Sequence, residues 1–335
     1  MERVVTEAHE SHVPGNRSLK VLYILGSSRS GSTILDSILG ELNGYFSAGE
    51  LRFIWRRLLE KRRCGCGQPL EDCEVWSQVL LKGVADQDLS ETARRNYKRQ
   101  QRNVSTKHTA GLLRRRVGEF GSDELATYAR ATASLYRAVA DVTGAKVIVD
   151  SSKRISDGAL LRLLPGFELY FVHLVRDPRA VANSRRRTKI NPDREVPGEM
   201  GGKNPAGSAF QWAVGNLGAD AVRRKHPRSR SLLVRYEDFV KQPRGIVEQI
   251  TDMVGVTPDS TPFASDTSVR LGVHHTVSGN PIRFNTGTVD LIEDNRWLAE
   301  LSSFDRAVTT ALTLPQMLAY HYPVRLGKGA TTRVA

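Results

Sequence analysis

The segment Lys20-Val-Leu-Tyr-Ile-Leu25 is a short apolar run that ends in the loop Gly26-Ser-Ser-Arg-Ser-Gly31-Ser-Thr33, after which Ile34, Leu35, Ile38, Leu39 and Leu42 fall at helical spacing. The pattern predicts a strand, a tight glycine loop and a helix. Further strand-type runs lie at 146–150, 169–175 and 231–235, and the 124–140 stretch puts Leu125, Tyr128, Leu135 and Val139 on one helical face. Near-continuous apolar strands alternating with helices predict an α/β fold of three layers, α/β/α, with a central parallel sheet covered on both faces. Residues 189–203, rich in Pro, Gly, Asn and charge, predict a long mobile loop, and loops of that length in compact domains are often functional. No internal repeat and no mark of a second domain is visible. The expected organisation is one domain over 19–325, between a disordered leader at 1–18 and a flexible tail at 326–335.

Composition adds limits. The chain has 335 residues, 40% of them hydrophobic, with no run approaching the roughly 20 apolar residues of a membrane span. The first residues also lack an apolar core of signal-peptide type, so a cytoplasmic protein is expected. With 49 Lys and Arg against 36 Asp and Glu, the net charge is +13, which favours phosphorylated or otherwise anionic ligands. Much of it is local, in Arg94, Arg95, Lys98, Arg99, Arg102, Lys107 and Arg114 to Arg116, within a helical, basic insertion at about 84–120. A solvated helical face is the plainer reading there, and a path for an anionic substrate the alternative. A nucleic-acid partner is not expected, because the stretch lacks interleaved aromatics apart from Tyr97.

All three cysteines lie within ten residues, at Cys64, Cys66 and Cys73. An odd count in a chain of this size argues against a disulfide scaffold. No further Cys or His follows before His108, so a structural loop is expected and no metal.

A glycine loop between a first strand and a helix gathers backbone N–H groups and the positive end of the helix dipole around one point, which suits a phosphate or sulfate. Ser27, Ser28, Ser30, Ser32 and Thr33 add hydroxyls and Arg29 a charge. The Gly26-x-x-x-x-Gly31 spacing equals that of nucleotide hydrolases, but Ser32 stands where those place a phosphate-binding lysine. A P-loop phosphotransferase is weakened accordingly. Its one candidate for a magnesium-binding carboxylate is Asp150.

An arginine before the second glycine with hydroxyls after it resembles the 5′-phosphosulfate loop of the sulfotransferases. The segment Leu174-Val-Arg176-Asp-Pro-Arg179-Ala-Val-Ala-Asn-Ser184-Arg185, with Arg and Ser eight apart, resembles that family's 3′-phosphate segment, in wording closest to the carbohydrate sulfotransferases. Arg235-Tyr236-Glu237-Asp238 resembles its strand-end segment beside the adenine. His275-Thr-Val-Ser278-Gly279-Asn280-Pro281-Ile-Arg283, followed by Asp294 and Trp297, resembles its C-terminal loop over the cofactor.

The resemblance implies a P-loop-like sulfotransferase fold and the donor 3′-phosphoadenosine 5′-phosphosulfate, leaving adenosine 3′,5′-bisphosphate, with no metal. It assigns donor binding to Ser28, Arg29, Ser30, Gly31, Ser32, Thr33, Arg176, Ser184, Tyr236, Ser278 and Arg283. Arg29 and Lys153, just past a predicted strand, are expected to stabilise charge on the transferring group. Gly49-Glu50 resembles the pair that carries the catalytic carboxylate in tyrosylprotein and some carbohydrate sulfotransferases. Glu50 is therefore the expected base, with His275 and His274 as alternatives. His173, inside an apolar strand, is expected in the core. The implied acceptor is a hydroxyl, of a sugar or a glycosylated small molecule.

Overall fold

The computed structural model describes residues 18–84, 88–193, 198–200 and 202–324. Its first half runs β1 (Leu19–Gly26), α1 (Ser32–Gly40), β2 (Tyr45–Gly49), α2 (Ile54–Leu59), α3 (Glu74–Gly83), α4 (Leu89–Asn103), α5 (Thr109–Arg114), α6 (Asp123–Thr143), β3 (Val147–Lys153), α7 (Ile155–Leu161) and β4 (Phe167–Val175). Then follow α8 (Pro178–Arg186), β5 (Lys189–Asn191), β6 (Gly198–Met200), α9 (Pro205–Arg224), β7 (Ser231–Arg235), α10 (Tyr236–Lys241) and α11 (Pro243–Val254). The described residues end with β8 (Ser268–Leu271), β9 (Gly287–Asp290), α12 (Trp297–Glu300) and α13 (Ser303–Ala319).

The main sheet has five strands in the order β2-β3-β1-β4-β7, and every neighbouring pair is parallel. Side chains alternate across it. Val21, Tyr23 and Leu25 of β1 join Ile148, Phe171, Trp76 and Tyr136 in one core, against the layer that includes α3, α6, α7 and α9. Leu22 and Ile24 point the other way, to Ile34, Leu35, Ile38, Val149, Phe239 and Ile250, beneath α1, α10 and α11. A fully buried side chain of this kind contributes about 1.5–3 kcal/mol, so a strand apolar at every position suits only a sheet covered twice. The expected three layers are present.

The predicted helix at 124–140 is α6, whose first turn is held by the Ser122 hydroxyl accepting from the Leu125 N–H at 3.2 Å. β2 lies outside the predicted strands, because Tyr-Phe-Ser-Ala-Gly is short and its last three residues are small. The region expected as a loop at 189–203 contains an antiparallel ribbon of β5 with β6, and its residues 194–197 and 201 lie outside the described residues. So do the expected leader, apart from Ser18, and the tail. The described part of the basic stretch at 84–120 contains α4 and α5. In α4, Ala93, Asn96 and Gln100 face inward, with Gln100 Nε2 donating to the Arg52 carbonyl at 2.9 Å and the Tyr128 hydroxyl at 2.7 Å. Arg94, Arg95, Lys98 and Arg102 face solvent.

β1 is central, and the chain crosses from it to β2 and β3 on one side and to β4 and β7 on the other. In open parallel sheets that reversal leaves a crevice at the carboxyl ends of the strands. Gly26 closes β1 there with φ +134, and a Cβ on it would lie 2.3 Å from the Leu174 carbonyl oxygen. Gly26→Ala is therefore expected to cost about 1–3 kcal/mol in backbone strain alone, with the clash added. The check is a lowered Tm; an unchanged Tm would mean that β1 and β4 can part at that point.

Candidate functional site

Each of the five parallel strands delivers a polar group to the same edge. β1 leads into the loop at 27–31, Glu50 follows β2, Lys153 ends β3, Arg176 follows β4 and Tyr236 follows β7. Strand pairing thus gathers residues from five separate stretches of sequence. Two of the non-glycine residues with left-handed backbone, Arg29 at φ +71 and Lys153 at φ +66, lie in this group. Such strain persists where the surroundings over-determine it, as they do at binding sites.

The 27–31 loop is internally braced. The Ser30 hydroxyl donates to the Ser27 carbonyl at 2.7 Å, and Arg185 Nη2 donates to the Ser27 and Ser28 hydroxyls at 2.9 and 2.7 Å. Burial, and then the charge of Arg29, pushes the Arg185 guanidinium down to about 10. Gly31 has φ +89, and a Cβ there would lie 2.5 Å from the Tyr236 ring, so the loop is pressed against that aromatic face. No side chain caps α1, which leaves its first N–H groups turned toward the crevice.

Around this loop lies a cleft of about 450 Å³ lined by Ser28, Arg29, Gly31, Ser32, Thr33, Arg176, Ser184, Tyr236 and Ser278, with Glu50 and Lys153 at one end. Ser30 is buried beneath the loop. Arg29 Nη1 and Arg176 Nε are buried and have no hydrogen-bond partner among the described residues. Unpaired buried donors cost free energy unless an anion satisfies them, so these two nitrogens fit a bound phosphate or sulfate. Arg176 stacks 4.4 Å from the Tyr236 ring centroid, and its Nη2 lies 3.3 Å from Asp294 Oδ2. Burial alone would raise the Asp294 carboxyl, but Arg296, Arg176 and Arg187 outweigh it and hold that carboxyl well below its usual range.

At the end of the cleft, Lys153 Nζ lies 2.5 Å from Glu50 Oε1 and donates to the Ser151 carbonyl at 2.7 Å. The Glu50 N–H donates to the Ser278 carbonyl at 3.0 Å. A second cleft, of about 500 Å³, opens on the far side of this pair between Phe53, Ile155, Phe210, Val214 and Gln211. The two clefts share Ser28, Glu50 and Lys153.

Four sequence expectations fall elsewhere. The Arg283 guanidinium is buried and turned from the cleft, with Nη1 donating to the Thr276 carbonyl at 2.6 Å and Nη2 to that of Arg63 at 2.8 Å. It braces the 276–283 segment. His275 points Nδ1 at Cys73 Sγ, 3.2 Å away, and His274 points Nε2 at Glu41 Oε1, 2.9 Å away, so neither ring faces the Glu50 and Lys153 pair. Asp150 is buried, its Oδ1 accepting from the Ser152 N–H at 2.7 Å and its Oδ2 from the Tyr136 hydroxyl, and it does not line the cleft. His173 is a core residue, as expected, with Nε2 2.9 Å from Asn216 Oδ1.

The cleft also contains residues not singled out from sequence. Arg57 holds the Ser278 hydroxyl through Nε and Nη2 at 3.1 and 2.8 Å, and Arg187 joins Asp294 at 3.3 Å. In the sequence, each is one arginine within a local run.

A model of the Sulfotransferase family matches residues 22–260. The chain belongs to that family. Among solved structures, the sulfotransferase domain of the Synechococcus PCC 7002 olefin synthase is similar at 22% identity, covering 93% of this chain and 98% of that one, with a TM-score of 0.49. The sulfotransferase domain of the curacin biosynthetic pathway matches at 17% identity over 92% and 100% of the two chains, also at 0.49. A sulfotransferase from Alicyclobacillus acidocaldarius matches at 13% over 90% and 98%, at 0.37. No curated protein matches. For this sulfotransferase, no described helix is long and apolar enough to cross a membrane.

Proposed function

We propose that this sulfotransferase moves the sulfo group of 3′-phosphoadenosine 5′-phosphosulfate onto a hydroxyl of a sugar or glycosylated small molecule. The observation that carries the reading is the meeting of two clefts at Ser28, Glu50 and Lys153. One is lined by cationic and hydroxyl groups, as a nucleotide donor requires. The other mixes apolar Phe53, Phe210 and Val214 with polar Gln211 and Lys203, as an amphipathic acceptor requires.

In this reading the loop N–H groups, Ser28, Ser32 and Thr33 hold the 5′-phosphosulfate, Arg176 and Ser184 the 3′-phosphate, and Tyr236 lies beside the adenine. Glu50 takes the proton of the acceptor hydroxyl as its oxygen bonds to sulfur. The sulfur to phosphate-oxygen bond breaks, and Lys153 and Arg29 stabilise the charge left on the leaving phosphate. Arg29 does this as a fixed cation, since a guanidinium does not serve as a proton donor. A cytoplasmic location goes with the reading, because that compartment keeps cysteines such as Cys64, Cys66 and Cys73 out of disulfides.

Titration calorimetry tests the donor without knowledge of the acceptor. Adenosine 3′,5′-bisphosphate is expected to bind much more tightly than ATP, with no added magnesium. Tighter magnesium-dependent binding of ATP would return the chain to the phosphotransferase reading.

A further inference from the structure

We propose that Cys64, Cys66, Cys73 and His275 form a structural zinc site. The three thiol sulfurs and one imidazole nitrogen all lie within 4.8 Å of one another. Cys64 Sγ is 3.5 Å from Cys73 Sγ, and His275 Nδ1 is 3.2 Å from Cys73 Sγ and 4.0 Å from Cys64 Sγ. Tetrahedral zinc with Zn–S of about 2.3 Å and Zn–N of about 2.0–2.1 Å has ligand-to-ligand edges of about 3.8 Å between sulfurs and about 3.6 Å between sulfur and nitrogen. The distances of 3.2, 3.5 and 4.0 Å bracket those edges, and small side-chain shifts within the 4.8 Å group would reach them. Three thiolates and an imidazole are also a ligand set that favours zinc over hard cations.

The backbone supports the same conclusion. The Cys64 N–H donates to the Gln68 carbonyl at 2.8 Å and the Gly67 N–H to the Cys64 carbonyl at 2.9 Å, so a tight turn places Cys64 and Cys66 side by side. Gly67, at φ +90, permits it. Cys73 stands at the N-terminus of α3, and His275 arrives from a segment 202 residues further along the chain. Sequence spacing offered no fourth ligand; the fold supplies one.

The histidine is oriented as metal ligands are. Its Nδ1 faces the sulfurs while Nε2 lies 3.2 Å from Glu74 Oε1, the outer carboxylate contact that fixes the tautomer of a zinc-bound imidazole. A disulfide between Cys64 and Cys73 would use two of the sulfurs and leave unexplained why Cys66 and His275 converge on them.

Four protein ligands leave zinc no open position for a substrate, so the site's role is to hold structure. It joins the turn at 64–67 to the segment that carries Ser278 into the cleft. Those two stretches already touch, the Gly65 N–H donating to the Thr276 carbonyl at 2.9 Å and Trp76 Nε1 to that of His275 at 2.6 Å. A Cβ on Gly65 would lie 2.3 Å from the His274 carbonyl oxygen, which is how closely they approach.

The test is elemental analysis of the full chain after desalting, with Co²⁺ exchange as a second readout. The expected result is about one zinc per chain, thiols that react with a disulfide reagent only after a strong chelator is added, and a Co²⁺ form with thiolate-to-metal charge-transfer and tetrahedral d–d bands. Cys66→Ser should weaken retention and alter those bands, while His275→Cys, which keeps a ligand, should retain the metal. Folded wild-type chain without zinc that gives no tetrahedral Co²⁺ spectrum would overturn the proposal. So would a mass lower by two hydrogens from a Cys64 to Cys73 disulfide, or metal content unchanged by both Cys66→Ser and His275→Ala. None of these readouts depends on sulfo transfer.

Discussion

Glu50→Gln is expected to lower turnover by about 10²–10⁴-fold, the usual loss on removing a positioned base, while nucleotide affinity stays within a small factor of wild type. The carboxylate lies where the two clefts meet, beside Lys153 Nζ at 2.5 Å and anchored through its own N–H to the Ser278 carbonyl. Gln keeps the shape and leaves Lys153 an oxygen to donate to. What it loses is the ability to accept a proton. Lys153→Ala should also slow the chemical step, but by removing charge from the leaving side, so its loss should vary with the leaving group and should not recover at high pH. Glu50→Gln could recover with an acceptor acidic enough to ionise unaided. Single-turnover measurement separates the two, and normal single-turnover rates in the Gln variant would exclude Glu50 as the base.

Much of this arrangement was readable in the sequence because strand ends are punctuated. An apolar run that stops at a glycine or a charge marks both a strand and the edge of a parallel sheet, so Gly26, Lys153, Arg176 and Tyr236 could be placed before any fold was in hand. β2 was not readable, since Tyr45 to Gly49 has neither a long apolar run nor a clear alternation. Glu50 was reached by resemblance alone.

What stayed hidden depends on side-chain direction and on long-range convergence. Arg283 has the expected sequence position, yet its guanidinium turns inward to the carbonyls of Thr276 and Arg63. Arg57 is one of several neighbouring arginines, and only the fold shows that it reaches Ser278. The pairing of His275 with the cysteines could not be read from spacing, because 202 residues separate it from Cys73. Basic charge was partly misleading in the same way, since the exposed arginines of α4 are far more conspicuous in the sequence than Arg29 or Arg187.

Arg176→Ala is expected to abolish most of the preference for adenosine 3′,5′-bisphosphate over 5′-AMP. Removing a buried charged partner of a phosphate costs about 2–5 kcal/mol, or roughly 30-fold to several thousandfold in Kd. In the proposed reading three features support that difference: Arg176 is buried, its Nε has no partner among the described residues, and its plane is fixed by the Tyr236 ring 4.4 Å away. Asp294, which it also meets, is shared with Arg187 and Arg296, so a phosphate arriving at Arg176 need not leave that carboxylate unpaired. The effect should fall on the doubly phosphorylated nucleotide, because 5′-AMP has no group at that position to lose. Arg176→Lys should lie between, keeping the charge but not the planar fork or the stacking. If calorimetry gives Arg176→Ala the same loss for both nucleotides, the arginine supports the loop and Tyr236 generally, and it is not the 3′-phosphate contact.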